Sequence, residues 1–196
     1  MDSLRKSARC VIIHGCSDSK NKDDRSRVYK KHWVPWLRLE LKKARISSAS
    51  PVLQDRWAPD YDKWKKEFEK YKITKKTILI GHSCGCAFLV RWLGDTKSAA
   101  EKLILVAPSK ISSAKGNVEA KARLYDYKID RKIRSKVKKI VIFASDDDTA
   151  NIKKSVGIYS KALGAKVIWL HGKGHFVLSD MGTPEFPELL REVLSK

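Results

Sequence analysis

The sequence predicts a three-layer α/β/α sandwich on a mostly parallel sheet of about six strands. Two observations carry this. Short apolar runs rich in Ile and Val alternate with helical patterns, and residues able to do chemistry follow directly after those runs. The runs Arg9–His14, Thr77–Ile80, Leu103–Ala107, Ile140–Ala144 and Val167–Leu170 are continuous, as strands buried on both faces require. A weaker one spans Arg45–Ala49. Between them, helical spacing covers Val34–Ala44, Tyr61–Tyr71, Cys84–Leu93, Val118–Ser135, Thr149–Leu163 and Pro187–Leu194. Pro35 suits a first helical turn, and Gly164 a C-terminal stop. No long insertion separates the later strands, so no large cap domain is expected.

The chain has 196 residues, of which 42% are hydrophobic, enough for a substantial core. No linker and no repeat divides it, so a single domain over residues 1–196 is expected. No apolar run approaches the roughly 18 residues of a membrane span. The N-terminal apolar segment is too short for a secretory signal, which gives a cytoplasmic expectation. The four cysteines, Cys10, Cys16, Cys84 and Cys86, form no C-x-x-C pair. In a reducing compartment they are expected as four free thiols, with no metal and no cofactor.

Lys and Arg exceed Asp and Glu by 20. Residues 20–45 carry ten basic against three acidic side chains, and residues 110–139 carry eleven against three. Such a surface attracts anions, but no aromatic-and-basic RNA motif and no recognition helix accompanies it. A solvated surface is the simpler expectation.

Ligands of parallel α/β sheets bind outside the carboxyl ends of the strands. Five features are expected to gather there: His14-Gly15-Cys16, Gly81-His82-Ser83-Cys84-Gly85, Pro108-Ser109, Ser145-Asp146-Asp147-Asp148 and His171-Gly172-Lys173-Gly174-His175. Gly-x-Ser-x-Gly between strand and helix is the spacing of a nucleophile elbow. A serine hydroxyl needs a base to remove its proton, and His175 after the last strand is the best candidate, with His171 second. Asp148 is the expected orienting acid, with Asp147 and Asp146 as rivals. The backbone N–H of Cys84, at the start of the following helix, is the first expected oxyanion donor, and that of Cys16 the second. His14, Gly15, His32, Trp33, His82 and Pro108 are candidates for the substrate pocket. Packing is the simpler role for His14, His82, His32 and the tryptophans Trp33, Trp36, Trp57 and Trp64. Cys16 and Cys84 also flank the expected hole, so thiol oxidation there is a route to redox control.

The stretches "HWVPWLRLEL", "GHSCGCAFLVRWL", "LILVAP", "ASDDD" and "HGKGHF" together resemble the small serine hydrolases of the YdeN and retinoblastoma-binding type, a compact branch of the α/β-hydrolases. The resemblance runs from about Cys10 to the C-terminus. It implies a catalytic triad at Ser83, Asp148 and His175 and hydrolysis of esters or amides. Two departures stand out. The family's acid is the last Asp of its acidic run and is followed by Val-Pro, whereas Asp148 is followed by Thr149-Ala150, which keeps Asp147 open as the acid. A basic insert over residues 17–31 is expected to reshape the cleft entrance. The expected substrate is a small ester or amide, cleaved through an acyl-enzyme by a carboxylesterase-like enzyme. The rival is a catalytically weak binding module whose basic face holds an anionic partner, protein or nucleic acid. Oligomeric state and natural substrate are not legible.

Overall fold

The computed structural model describes residues 6–17, 32–112 and 117–195. Its main sheet joins six strands, all parallel: β2 (Cys10–Ile13), β3 (Ser48–Ala49), β5 (Ile78–His82), β6 (Ala100–Val106), β7 (Val137–Ser145) and β8 (Lys166–Leu170), in the order β3-β2-β5-β6-β7-β8. Ile12 pairs with Ile80, Ile80 with Ile104, and Ile104 with Val141, so one apolar layer crosses four strands in register. Those four strands hold nearly all the fully buried Ile, Leu and Val side chains of the sheet. At the edge, β8 leaves Trp169 half exposed.

Helices cover both faces, completing the sandwich. They are α1 (Trp33–Lys43), α2 (Tyr61–Phe68), α3 (Cys84–Asp95), α4 (Val118–Tyr125), α5 (Ile133–Lys136), α6 (Ala150–Leu163), α7 (Leu178–Met181) and α8 (Pro187–Leu194). Helix α1 packs with α8, while α3 meets α2, α4 and α5. Local chemistry sets the ends. Asp60 accepts the Lys63 N–H and Thr149 the Ile152 N–H, each capping the helix that follows. Aromatic side chains join neighbouring helices: Trp33 meets Phe186 edge-on, and Phe68 and Trp64 meet Phe88.

Three expectations need correction. The helix expected over Val118–Ser135 is two, because Asp126 leaves helical backbone angles and the carbonyls of Tyr125 and Tyr127 turn to the Lys110 ammonium. The helix expected to Tyr71 ends at Phe68, and Tyr71–Lys72 instead forms strand β4, paired in parallel with β1 (Lys6–Ser7) in a separate two-stranded sheet. The weak strand at Arg45–Ala49 shrinks to Ser48–Ala49 because Arg45 adopts a positive φ of 58°. No helix among the described residues is long and apolar enough to cross a membrane. All but Ser17 of the basic insert lies outside the described residues.

Candidate active site

Strand β5 ends at His82 and helix α3 begins at Cys84, which leaves Ser83 alone on the turn between them. Its φ of 54° and ψ of −121° lie outside the favourable regions for a residue with a Cβ, at a cost of about 1–3 kcal/mol. Three backbone hydrogen bonds hold it there. Its N–H donates to the Val106 carbonyl at 2.9 Å, and its carbonyl accepts from Cys86 at 3.0 Å and Ser109 at 3.3 Å. The flanking glycines are required by space. A Cβ on Gly81 would sit 2.8 Å from the Cys86 backbone, and one on Gly85 would sit 2.6 Å from the carbonyl oxygens of Ile13 and His14. The helix start therefore packs directly beneath the loop that follows β2.

The Ser83 hydroxyl donates to His175 Nε2 at 2.9 Å, and His175 Nδ1–H donates to Asp148 Oδ2 at 3.0 Å. The Asp148 carboxylate is almost fully buried, and its Oδ1 accepts the Thr149 N–H at 2.6 Å. The three consecutive carboxylates have separate partners. Asp146 holds His171 Nδ1 at 2.6 Å and the Gly172 N–H at 3.2 Å. Asp147 takes the Ser145 hydroxyl and, at 2.8 Å, the Gly174 N–H. Only Asp148 reaches His175. His171 is an exposed side chain held by Asp146, which raises its pKa, and it does not line the cavity around Ser83.

The histidine loop is fixed from both sides. The His175 N–H donates to Asp180 Oδ2 at 2.7 Å, and its carbonyl oxygen lies 2.8 Å from His82 Nε2. Burial, assisted by the neighbouring His175, holds His82 well below the usual histidine pKa, so the ring is neutral and Nε2–H is the donor. Burial likewise holds His14 down at about 4. Its Nδ1–H donates to the Gly15 carbonyl at 2.9 Å while Nε2 accepts from Leu53 N–H at 3.3 Å. Both histidines fix loops that border Ser83.

Among the described residues no protein acceptor engages the backbone N–H of Cys84 or of Cys16. Here one expectation fails: the thiols of Cys16 and Cys84 are not free but joined in a disulfide, with Cα atoms 5.7 Å apart. The separation of 68 residues hid it, because only the packing of the β2 loop over the start of α3 brings the two together. Cys10 and Cys86 are free and buried, and burial raises the pKa of each.

Ser83, His175 and Asp148 open onto a cavity of about 730 Å³. His14, Gly15, His32, Trp33 and His82 line it; Pro108 does not, because its neighbour Ser109 takes that position. The Ser109 hydroxyl is 3.3 Å from Ser83 Oγ, and its carbonyl accepts from Tyr159 OH at 3.0 Å. Sequence reasoning marked Pro108-Ser109 as a strand-end feature but chose the wrong member. Asp180 and Lys121, also in the lining, were missed, and no local pattern announces either. Among the described residues, the buried polar atoms His32 Nδ1 and Trp33 Nε1 have no hydrogen-bond partner. Among the described residues no group of three or more His, Cys, Asp or Glu side chains is placed to hold a metal ion.

A parallel sheet with a strained serine at the turn after its third-ranked strand, facing a histidine from the last strand's loop, defines an α/β-hydrolase. The serine hydrolase family model matches residues 10–195, and the chain belongs to that family. No curated protein matches it. Among solved structures it is similar to the ydeN gene product of B. subtilis, with a TM-score of 0.80 and 22% identity over 96% of both chains. It is also similar to Est1E of Butyrivibrio proteoclasticus, solved with ferulic acid bound, at a TM-score of 0.61 and 13% identity over 98% of this chain and 90% of that one. For carboxylesterase CesB of Bacillus subtilis the values are 0.55 and 12%, over 98% and 84%. At these identities the likeness is one of fold.

Proposed function

We propose that this serine hydrolase cleaves a small carboxylic ester, and less readily an amide, through an acyl-enzyme on Ser83. The observation that carries the reading is the unbroken hydrogen-bond chain from Ser83 through His175 to buried Asp148 at the wall of one cavity. The preference for esters leans on the fold shared with a carboxylesterase and with an enzyme that binds ferulic acid.

His175 Nε2 takes the Ser83 proton as Oγ attacks the substrate carbonyl. Asp148 keeps the other ring proton on Nδ1 and stabilises the imidazolium that forms. The tetrahedral oxyanion is received by the N–H groups of Cys84 and Cys16, and the positive end of α3 adds to its stabilisation. His175 then returns the proton to the leaving alcohol. A water molecule, activated by the same ring, attacks the acyl group and frees Ser83. A cavity of about 730 Å³ suits a substrate of drug-like size or less.

A panel of p-nitrophenyl and aryl esters of graded acyl length tests the reading. Turnover that vanishes in Ser83→Ala supports it. Equal turnover by both proteins refutes it.

A further inference from the structure

We infer that the Cys16–Cys84 disulfide is a positioning element of the oxyanion hole, so that ester hydrolysis depends on the bond being oxidised. The inference rests on the serine hydrolase reading given above.

The disulfide joins Cys16 and Cys84, whose backbone N–H groups have no protein acceptor among the described residues. Those residues have unequal support. Cys84 is the first residue of α3, completely buried and held by the helix. Cys16 is partly exposed on an irregular loop and lines the cavity. Near it, the Ser17 N–H donates to the Arg56 carbonyl at 3.0 Å, and His14 is bonded to Gly15 and Leu53. These contacts anchor the loop to its neighbours on the β2 and β3 side. None of them ties Cys16 to α3, whereas the disulfide does. Oxyanion stabilisation depends on donors fixed before the reaction, since a donor that must reorganise during charge development loses its advantage. The covalent link supplies that fixity to the more weakly held donor.

Reduction is chemically accessible. A small dithiol entering the cavity attacks Cys16 Sγ as a thiolate. The sulfur–sulfur bond breaks, its electron pair passes to Cys84 Sγ, and a mixed disulfide forms on Cys16. The second thiol of the reagent closes on its own sulfur and expels Cys16 as a thiolate. Two electrons and two protons then sit on the protein thiols, and the reagent is left as a cyclic disulfide. Cys84 is the better leaving group, because a thiolate at a helix N-terminus is stabilised. The buried Cys10 and Cys86 take no part.

The test compares full-length protein oxidised, reduced with dithiothreitol, and reoxidised, together with Cys16→Ser, which keeps the backbone N–H. Denatured thiol counts of two and four verify the oxidised and reduced states, and far-UV circular dichroism verifies the fold. The expected result is a kcat lowered tenfold or more on reduction and in Cys16→Ser, with KM changed less than about twofold. A boronic acid transition-state analogue should weaken in parallel, reoxidation should restore only the wild type, and Cys16→Ser should ignore the dithiol. Equal kcat in the oxidised and reduced states overturns the inference, as does a rise in KM at constant kcat, or four free thiols persisting after oxidation. If the oxidised protein has no Ser83-dependent turnover, the hydrolase reading itself fails and takes this role with it.

Discussion

The Nε2–H of His82 donates to the carbonyl oxygen of His175 at 2.8 Å, so the residue before Ser83, the proposed nucleophile, holds the backbone of the proposed base. The nucleophile's own strand thereby sets the position of the loop that must serve it. His82→Leu leaves that carbonyl without its donor and is expected to lower kcat by about ten- to a hundredfold, the scale of a sub-ångström to 1 Å misplacement. His82→Gln keeps a side-chain donor and should retain most of the activity. Steady-state kinetics on both variants checks this, and equal losses would show that the hydrogen bond is irrelevant.

Adjacent carboxylates give a sharper contrast. Asp148→Asn removes the charge facing His175 Nδ1 and disturbs the ring's tautomer, so kcat should fall by about 10³–10⁴. Asp147→Asn only weakens the anchor of Gly174 and should cost far less. The reverse ranking in kcat would move the acid one place along the chain.

Burial of neutral His14 and His82 predicts acid sensitivity. Each has a folded pKa below its unfolded value near 6.5, so the unfolded chain binds more protons as pH falls. Their contribution is fully present above pH 6.5 and is lost as pH drops toward the folded values. For His14, held at about 4, the loss reaches about 3 kcal/mol. Thermal melts from pH 7 to 4 should show a falling Tm, and His14→Gln should flatten part of the slope. An unchanged slope in that variant would contradict the assignment.

The β6 residue Lys102 tests structure apart from function. Its buried ammonium donates to the carbonyls of Glu192 at 2.7 Å and Val193 at 3.3 Å, and to Ser195, closing the C-terminal end of α8. Burial lowers its pKa, while nearby Glu192 opposes that shift. Lys102→Met removes the donor to the Val193 and Ser195 carbonyls, while Glu192 keeps the Ser195 hydroxyl, at a cost of about 1–3 kcal/mol. Urea unfolding should show a lower midpoint while kcat of the folded protein stays unchanged.

The disulfide also bears on stability. Closing a 68-residue separation is worth about 4 kcal/mol in the chain-entropy account. Dithiothreitol should therefore lower the urea midpoint of the wild type and leave that of Cys16→Ser where it is. Equal midpoints for oxidised and reduced wild type would contradict it.

The sheet was legible because Ile- and Val-rich runs such as Cys10–Ile13 and Ile140–Ala144 are long enough to exclude exposed alternatives. A parallel sheet then directs every strand end to one edge, which is why Ser83, the acidic run Asp146–Asp148 and His175 could be expected at one site. Choices between neighbours were not legible. Asp147 and Asp148 differ only in how the turn after β7 directs them, and Pro108 and Ser109 only in how the turn after β6 does. Contacts remote in sequence were hidden as well. Cys16 meets Cys84 only through packing, and β1 meets β4 through a pairing of Lys6–Ser7 that carries no apolar pattern. The break at Asp126 depended on Lys110, a residue from a different loop.

Labelling by a fluorophosphonate probe, with the modified peptide identified by mass spectrometry, tests the role of Ser83 most directly. One phosphonylated residue, Ser83, is expected, with labelling abolished in Ser83→Ala and strongly slowed in Asp148→Asn. A label on another residue, or undiminished labelling of Ser83→Ala, would contradict it.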